Sequence, residues 1–239
     1  MPRRIDRKVI RGIADFARLE RPRLRAKFRR LARGQRPLAF LLACSDSRVV
    51  SSLLFGTDPG DLFEVRTVGN IIAPAGARGE TSMGDESGAA AVEYALLALD
   101  VRHLIVLGHS GCGAMKAVLG EHVPAGARHL ERRLVHAHGA RERLERSPWI
   151  ERALSPEDRL SQANVLHQLD HVRSYALVAD RLARGEVTLH GGWFDIERAD
   201  FHIWRPEQEH FVRVDEKVIA QALGRRAAAS SRSRRRRSR

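Results

Sequence analysis

Continuous and periodic apolar segments alternate along the chain. The runs LAFLLA (38–43) and HLIVLG (103–108) are unbroken, which is typical of strands buried on both faces of a parallel sheet. DLFEVRTVG (61–69) predicts a further strand after the turn TDPG, and ESGAAAVEYALLAL (86–99) predicts a helix. CGAMKAVLG, which begins at Cys112, predicts another helix. This alternation indicates an α/β fold with a mostly parallel central sheet flanked by helices.

The amino-terminal segment predicts a helical arm. Residues 6–33 repeat apolar positions at roughly helical spacing among many charges, so we expect one or two amphipathic helices. Pro22 should lie near their junction and Gly34 should end the last one, because proline breaks a helix interior and glycine favours helix ends. We therefore assign an N-terminal helical arm to residues 1–36.

The carboxyl-terminal half predicts one long helix followed by strands. A helical pattern capped by Ser155 continues to about Arg184. VTLHGGWFDI and FHIWR then predict a hairpin that adds a C-terminal edge strand. Residues 121–154 are polar with scattered histidines, and we expect an irregular insertion there. We assign the core domain to residues 37–224.

The net charge of +13 is concentrated at one end. Eight arginines and no acidic residue lie between positions 225 and 239, so residues 1–224 carry only +5 of this charge. The segment has no apolar periodicity, and we expect 225–239 to be a disordered Arg-rich tail. Its arginines could bind nucleic acid, a membrane surface or an acidic partner, but no other feature of the sequence supports such a role.

Composition favours a cytoplasmic protein with a full core. A chain of 239 residues with 43% apolar content can bury a core without disulfides or metal. No apolar run approaches the roughly 20 residues that cross a bilayer. The basic start MPRRIDRKVIRGIADF lacks the apolar stretch of a secretory signal. We therefore expect a cytoplasmic location, where thiols stay reduced.

The two cysteines of the chain follow two of the predicted strands. Cys44 lies in ACSDSRV and Cys112 lies in GHSGCGAMK, both just beyond the carboxyl ends of strands, where open α/β sheets build their sites. A disulfide, a metal site and simple packing are the three interpretations. A disulfide is not expected in a reducing compartment, whereas buried cysteines without chemistry are common.

The neighbours of the cysteines favour a metal. His109 and Cys112 lie three residues apart at a strand-to-helix turn, and Cys44 supplies a third ligand of the type that zinc prefers. Water or Asp46 could take the fourth position, and Arg48 is placed to pair with Asp46 and keep it ionised. Each pattern alone is weak, but their joint placement favours a catalytic zinc site.

These motifs also carry a resemblance to a known family. ACSDSRV, DLFEVRTVGN, AVEYALLAL, HLIVLGHSGCGAMKAV, NVLHQL and LHGGWFDI occur in this order in β-class carbonic anhydrases, and the chain resembles them over roughly residues 24–205. The resemblance implies one Zn²⁺ per chain and reversible hydration of CO₂ to bicarbonate and a proton by water that zinc activates. It also implies that residues 37–224 are the catalytic domain.

The resemblance assigns roles to ten residues. It implies that Cys44, His109 and Cys112 hold zinc, that Asp46 accepts a hydrogen bond from the attacking water, and that Arg48 keeps Asp46 off the metal. The residues it implies for substrate binding are Gln35, Phe63, Val68, Tyr94 and Gly113. Because relatives draw some pocket residues from a neighbouring subunit, it further implies a homodimer or tetramer with active sites at the subunit interface.

One departure from the family concerns regulation, and two other functions compete. Some bacterial relatives bind regulatory bicarbonate with a tryptophan at the position of Leu41, so we expect no such inhibition here, although Arg66 is retained. One alternative is hydrolysis of carbonyl sulfide or carbon disulfide on the same zinc scaffold. The other is a zinc-stabilised nucleic-acid-binding module that uses the tail.

Overall fold

A central sheet organises the molecule in a computed structural model, which describes residues 5–222 except 80, 81, 121, 122, 148, 149 and 152. Within these residues, six strands form one sheet in the order β2-β1-β3-β4-β5-β6. The strands are β1 (Ala39–Cys44), β2 (Leu62–Thr67), β3 (His103–His109), β4 (Thr188–Asp195), β5 (Asp200–Arg205) and β6 (His210–Arg213). The first four strands in this order pair in parallel, whereas β5 is antiparallel to β4 and β6 is antiparallel to β5. The predicted fold class is therefore confirmed.

Helices flank this sheet and form the amino-terminal arm. They are α1 (Arg7–Asp15), α2 (Arg21–Leu31), α3 (Ser51–Phe55), α4 (Glu86–Glu93), α5 (Gly113–Val118), α6 (Arg128–Leu134), α7 (Gly139–Glu145), α8 (Pro156–Ser174), α9 (Ala176–Ala183) and α10 (Glu216–Ala222). A π-helical turn joins α1 to α2, and Pro22 lies in the first turn of α2, where its missing N–H costs no hydrogen bond. None of the described helices is long and apolar enough to span a membrane.

The core explains why the strand segments are continuously apolar. Every residue of β1 is buried, because the strand lies between β2 and β3 and both of its faces are covered. One side chain of β1, Phe40, packs in the main cluster with Leu96, Val165 and Trp193. A second cluster lies beneath the two cysteines and includes Met115.

The expectation of an irregular insertion at 121–154 is wrong. This segment contains α6 and α7, which are joined by a 3-10 turn. Leu134 of α6, Ala137 of the turn and Ala140 of α7 are all buried in the second cluster with Met115 and Leu160. These apolar residues are spaced three apart, but they form a narrow stripe among charged residues. The stripe was therefore too weak to predict a helix from its period.

The carboxyl-terminal boundary of the long helix differs from the prediction. The Ser155 cap is confirmed, since its side chain accepts a hydrogen bond from the Asp158 N–H, but the helix breaks at Tyr175 instead of continuing to Arg184. The Tyr175 hydroxyl donates to the Ala73 carbonyl at 2.9 Å, which holds this residue in an extended conformation.

The predicted hairpin of β4 and β5 is confirmed. A sixth strand follows it, so β6 and not β5 is the edge strand. The predicted tail at 225–239 lies outside the described residues.

Candidate metal centre

Two neighbouring strand ends bring the cysteines together. β1 ends at Cys44 and β3, its parallel neighbour, ends at His109. The chain then turns through Gly111 to Cys112, which caps the amino terminus of α5. The two sulfur atoms and one imidazole nitrogen lie within 4.8 Å of one another, and the three residues are at most 5% exposed. The topology thus converges three side chains of metal-binding type on one buried point.

The orientation of His109 fits a metal ligand. Its Nδ1 lies 2.8 Å from the Ser110 carbonyl, which selects the tautomer that leaves a lone pair on Nε2. Nε2 is buried and has no hydrogen-bond partner among the described residues, which is uncommon for a polar atom in a protein interior. Two thiols and an imidazole are the ligand types that zinc prefers, and three protein ligands are typical of a catalytic zinc site. The residues present therefore fit zinc.

The two thiols share one proton in the protein without metal. A hydrogen bond from Cys112 lowers the pKa of Cys44 to about 4, because it stabilises the Cys44 thiolate. The same interaction, together with burial, raises the pKa of Cys112. The N–H of Gly69 also donates to the Cys44 sulfur, at 3.3 Å. These opposite directions favour a Cys44 thiolate beside a Cys112 thiol, and a cation that binds both sulfurs must displace the remaining proton.

Asp46 and Arg48 form a bidentate ion pair at the mouth of this centre. Arg48 Nε donates to Asp46 Oδ1 at 2.9 Å and Nη2 donates to Oδ2 at 2.7 Å, while the Arg48 backbone N–H donates to Oδ1 at 2.9 Å. These bonds hold the pKa of the Asp46 carboxyl well below its usual range, so it is ionised at neutral pH. Arg66 donates to the Asp46 carbonyl at 2.9 Å and fixes the backbone of the pair.

The Asp46 carboxylate faces the ligands without touching them. Its Oδ2 lies 3.9 Å from Nε2 of His109, which is beyond hydrogen-bond distance. The carboxylate is therefore next to the point where a fourth ligand would bind, while Arg48 restrains it from moving there.

The residues that the resemblance implies for substrate binding fall into two groups. Val68 follows β2 directly and precedes the Gly69 N–H that contacts Cys44, and Gly113 follows Cys112, so both lie at the metal centre. Phe63 pairs with Phe40, four residues before Cys44, which places it roughly 13 Å away along the sheet at about 3.3 Å per residue.

The second group surrounds a separate groove. The ring of Tyr94 lies 5.7 Å from that of Phe63, and Tyr94 and Gln35 line a groove of about 700 Å³ beside α2. One chain thus does not bring Gln35, Phe63 and Tyr94 to its own metal centre.

Helix α8 supplies contacts that the sequence did not predict. Ser161 donates to the His109 carbonyl at 2.8 Å, and Asn164 donates to the Gly69 carbonyl at 3.0 Å. Asp158 accepts from the Gly111 N–H at 2.6 Å. These polar residues are spaced three apart along one face of the helix. That spacing was the available signal, but their backbone partners are distant in sequence and could not be identified from it.

Fold and site together define a class of protein, a mostly parallel α/β scaffold with a buried Cys–His–Cys metal centre at the carboxyl edge of its sheet. A protein-family model described as carbonic anhydrase matches residues 39–201. Beta carbonic anhydrase 1 of Caenorhabditis elegans is 32% identical over 90% of this chain and 91% of its own length. A carbonic anhydrase of Pseudomonas aeruginosa is 36% identical over 91% of this chain and 96% of its own length.

Solved structures agree with this assignment. The β-carbonic anhydrase CcaA is 32% identical with a TM-score of 0.78, over 87% of this chain and 91% of that chain. A structure from a report of two tetrameric β-carbonic anhydrases of Sordaria macrospora is 26% identical with a TM-score of 0.69, over 82% of this chain and 94% of that chain. The chain belongs to the β-class carbonic anhydrases, a family of zinc lyases whose reaction is the hydration of CO₂.

Proposed function

We propose that this chain is a zinc-dependent carbonic anhydrase that reversibly hydrates CO₂ to bicarbonate and a proton. The observation that carries the proposal is the buried Nε2 of His109, which finds no hydrogen-bond partner in the part of the chain that the structure describes and converges with Cys44 and Cys112 beside an ionised Asp46. Membership of the β-class carbonic anhydrases supplies the reaction. When bound, zinc would acidify a water molecule so that it can attack carbon near neutral pH.

Asp46 orients the attacking water. Its Oδ1 accepts two hydrogen bonds from Arg48, whereas Oδ2 accepts one and faces His109. A lone pair of Oδ2 is therefore available for a hydrogen bond donated by water beside the ligands. Because the carboxyl is ionised, it can only accept, and this determines which way the water points.

Arg48 keeps Asp46 ionised, and it also restrains the position of the Asp46 carboxylate. The carboxylate lies 3.9 Å from Nε2 of His109, so a small rotation would bring it to the ligand atoms and block the position that water needs. The planar guanidinium opposes this rotation by holding both carboxylate oxygens at once.

A second subunit completes the substrate pocket. Gln35, Phe63 and Tyr94 lie away from the metal centre of their own chain, and Tyr94 is 50% exposed in the single chain. In this proposal they line the pocket of a neighbouring subunit, where the Gln35 amide donates to a substrate oxygen and the rings exclude water.

The amino-terminal arm is the element that would hold the subunits together. Helix α1 buries none of its residues, and its apolar side chains Val9, Ile10 and Ile13 are 50%, 51% and 62% exposed. A partner subunit that covers this face would bury apolar surface that is otherwise in water. The assembly is a homodimer or a tetramer of two such dimers, and its location is the cytoplasm, where free thiols persist.

The test compares the wild type with Cys112→Ser in stopped-flow CO₂ hydration at pH 7 and pH 9. The serine variant keeps the shape of the site but removes a thiolate ligand, so it should lose both zinc and turnover. Measuring carbonyl sulfide hydrolysis on the same samples separates the two linear substrates. Zinc-loaded wild type that turns over carbonyl sulfide and not CO₂ would contradict the proposal.

A further inference from the structure

The first turn of α8 lies against the loop that carries two of the metal ligands. We propose that Asp158 is a positioning residue, which fixes Arg48 through the backbone of Gly111 and so holds Asp46 in its catalytic orientation. This inference rests on the proposed function, because it concerns the Asp46–Arg48 pair of the same site.

A continuous set of hydrogen bonds connects Asp158 to Asp46. Asp158 Oδ1 accepts from the Gly111 N–H at 2.6 Å. The Gly111 carbonyl accepts from Arg48 Nη2 at 3.0 Å, and the same Nη2 donates to Asp46 Oδ2 at 2.7 Å. Gly111 is therefore the one residue that contacts both Asp158 and Arg48 in this set.

Gly111 needs an external anchor. It adopts a φ of 61°, in the left-handed region that glycine enters freely, so its own backbone does little to fix its direction. The chain is held before and after Gly111, since Ser161 donates to the His109 carbonyl and Cys112 is the N-cap of α5. Between them, Asp158 is the side chain that ties the Gly111 N–H in place and so aims the Gly111 carbonyl at Arg48.

Other carboxylates line the same cavity as Arg48. Arg48, Gly111 and Asp158 line a cavity of about 420 Å³ together with Asp195 and Glu197. A guanidinium that lost the Gly111 carbonyl would have these acidic side chains as alternative partners. The Gly111 contact therefore adds to the two bonds with Asp46 and favours an Arg48 that stays on Asp46 over one that turns into the cavity.

Helix capping is a simpler role for Asp158, and its neighbour provides the control. An acidic residue in the first helical turn stabilises the helix dipole, and Asp158 and Glu157 both occupy that turn. Glu157, however, faces Lys116 at 3.6 Å and makes no described contact with Gly111. Replacing Glu157 by Gln removes the same charge from the same turn and leaves the Gly111 contact intact.

The experiment uses zinc-loaded full-length protein and the variants Asp158→Ala, Asp158→Asn and Glu157→Gln. Asp158→Ala should lower kcat/KM for CO₂ about ten-fold, which corresponds to about 1.4 kcal/mol of transition-state stabilisation. Asp158→Asn keeps an acceptor oxygen and should recover most of the loss, while Glu157→Gln should match the wild type. Zinc content should stay at one per chain, and amide hydrogen exchange at Gly111 should speed up in Asp158→Ala only.

A double-mutant cycle shows whether Asp158 acts through Arg48. In an Arg48→Ala background, Asp158→Ala should cause no further loss, because the group it positions is gone. Additive losses, a Glu157→Gln effect of equal size, or loss of zinc from Asp158→Ala would each overturn the inference. If Asp158→Ala does not fold, Asp158→Ser, too short to reach Gly111, enters the same comparisons. Zinc-loaded wild type without CO₂ turnover would instead refute the proposed function.

Discussion

Replacing Asn164 tests whether the polar face of α8 supports the metal centre. Asn164 is 1% exposed, donates to the Gly69 carbonyl at 3.0 Å and accepts from Gln168 Nε2 at 3.0 Å. Its partner Gly69 is the residue whose N–H contacts the Cys44 sulfur. Asn164→Ala should therefore weaken both the fold and the position of one metal ligand.

The size of the effect follows from the groups left without partners. Gln168 Nε2 keeps a second acceptor, the His136 carbonyl at 3.0 Å, so its loss is partial. The Gly69 carbonyl keeps no described partner, and an unsatisfied buried group costs about 1–3 kcal/mol. With the cavity left by the amide, the free energy of unfolding should fall by about 2–4 kcal/mol. Zinc affinity should fall about 10–100-fold, as is typical when an outer-shell contact is removed.

Two measurements on Asn164→Ala test this reasoning. Urea unfolding with and without zinc gives the stability change, and one fixed protein concentration is used because the proposed assembly would dissociate on unfolding. Competition with a chromogenic chelator gives the zinc affinity. A stability loss below about 0.5 kcal/mol would refute the role of the polar face. A large stability loss with unchanged zinc affinity would refute the link from Gly69 to Cys44.

Three further predictions concern the Asp46–Arg48 pair, the pH dependence of stability and inhibition by bicarbonate. Arg48→Lys should lower kcat/KM in stopped-flow CO₂ hydration about 10–100-fold at unchanged zinc content, because lysine cannot hold both oxygens of Asp46; activity equal to the wild type would contradict this. Burial, together with the charges of His171 and Arg143, lowers the pKa of His167 to about 4, so the unfolded chain binds this proton first as the pH falls. Stability in urea should therefore decline between about pH 6.5 and pH 4, and His167→Gln should flatten the decline; an unchanged slope would count against it. Leu41 takes the position of the tryptophan with which some bacterial relatives bind regulatory bicarbonate, and it is buried with Phe194 in an apolar cluster. Without that regulatory site, millimolar bicarbonate should inhibit with a hyperbolic and not a sigmoidal dependence in an initial-rate assay.

Much of the fold could be predicted because β1 and most of β3 are buried on both faces. Such strands are continuously apolar, and β1 and β3 could therefore be predicted from their unbroken apolar runs. Helices α6 and α7 were not, since their buried residues form a narrow stripe within a charged segment. The helix break at Tyr175 depends on a hydrogen bond to Ala73, which is 102 residues away in the sequence. The residues next to Tyr175 therefore could not predict it.

The metal ligands could be predicted from the sequence, whereas the α8 residues that support them could not. Cys44 and His109 could be placed together because neighbouring parallel strands end at the same edge of a sheet, and the pairing of Asp46 with Arg48 is local. The partners of Asp158 and Asn164 are backbone groups 47 and 95 residues away. Their identity depends on where α8 crosses the sheet, which only the structure shows.

The groove lined by Gln35 and Tyr94 raises a different point, because its proposed role requires a second chain. The resemblance implied that these residues bind substrate, and a single subunit places them with Phe63 instead of with Cys44. Their role therefore stays a prediction about the assembly. An engineered monomer should keep its zinc ligands and lose most of its turnover, which sedimentation and rate measurements on the same sample can check.

The most direct test of the zinc-dependent mechanism is a zinc titration of metal-free protein with the CO₂ hydration rate as the readout. If Cys44, His109 and Cys112 hold the catalytic metal, the rate should rise linearly from near zero and stop at one zinc per chain. A rate that does not depend on zinc, or a fully loaded protein that does not hydrate CO₂, would contradict the account.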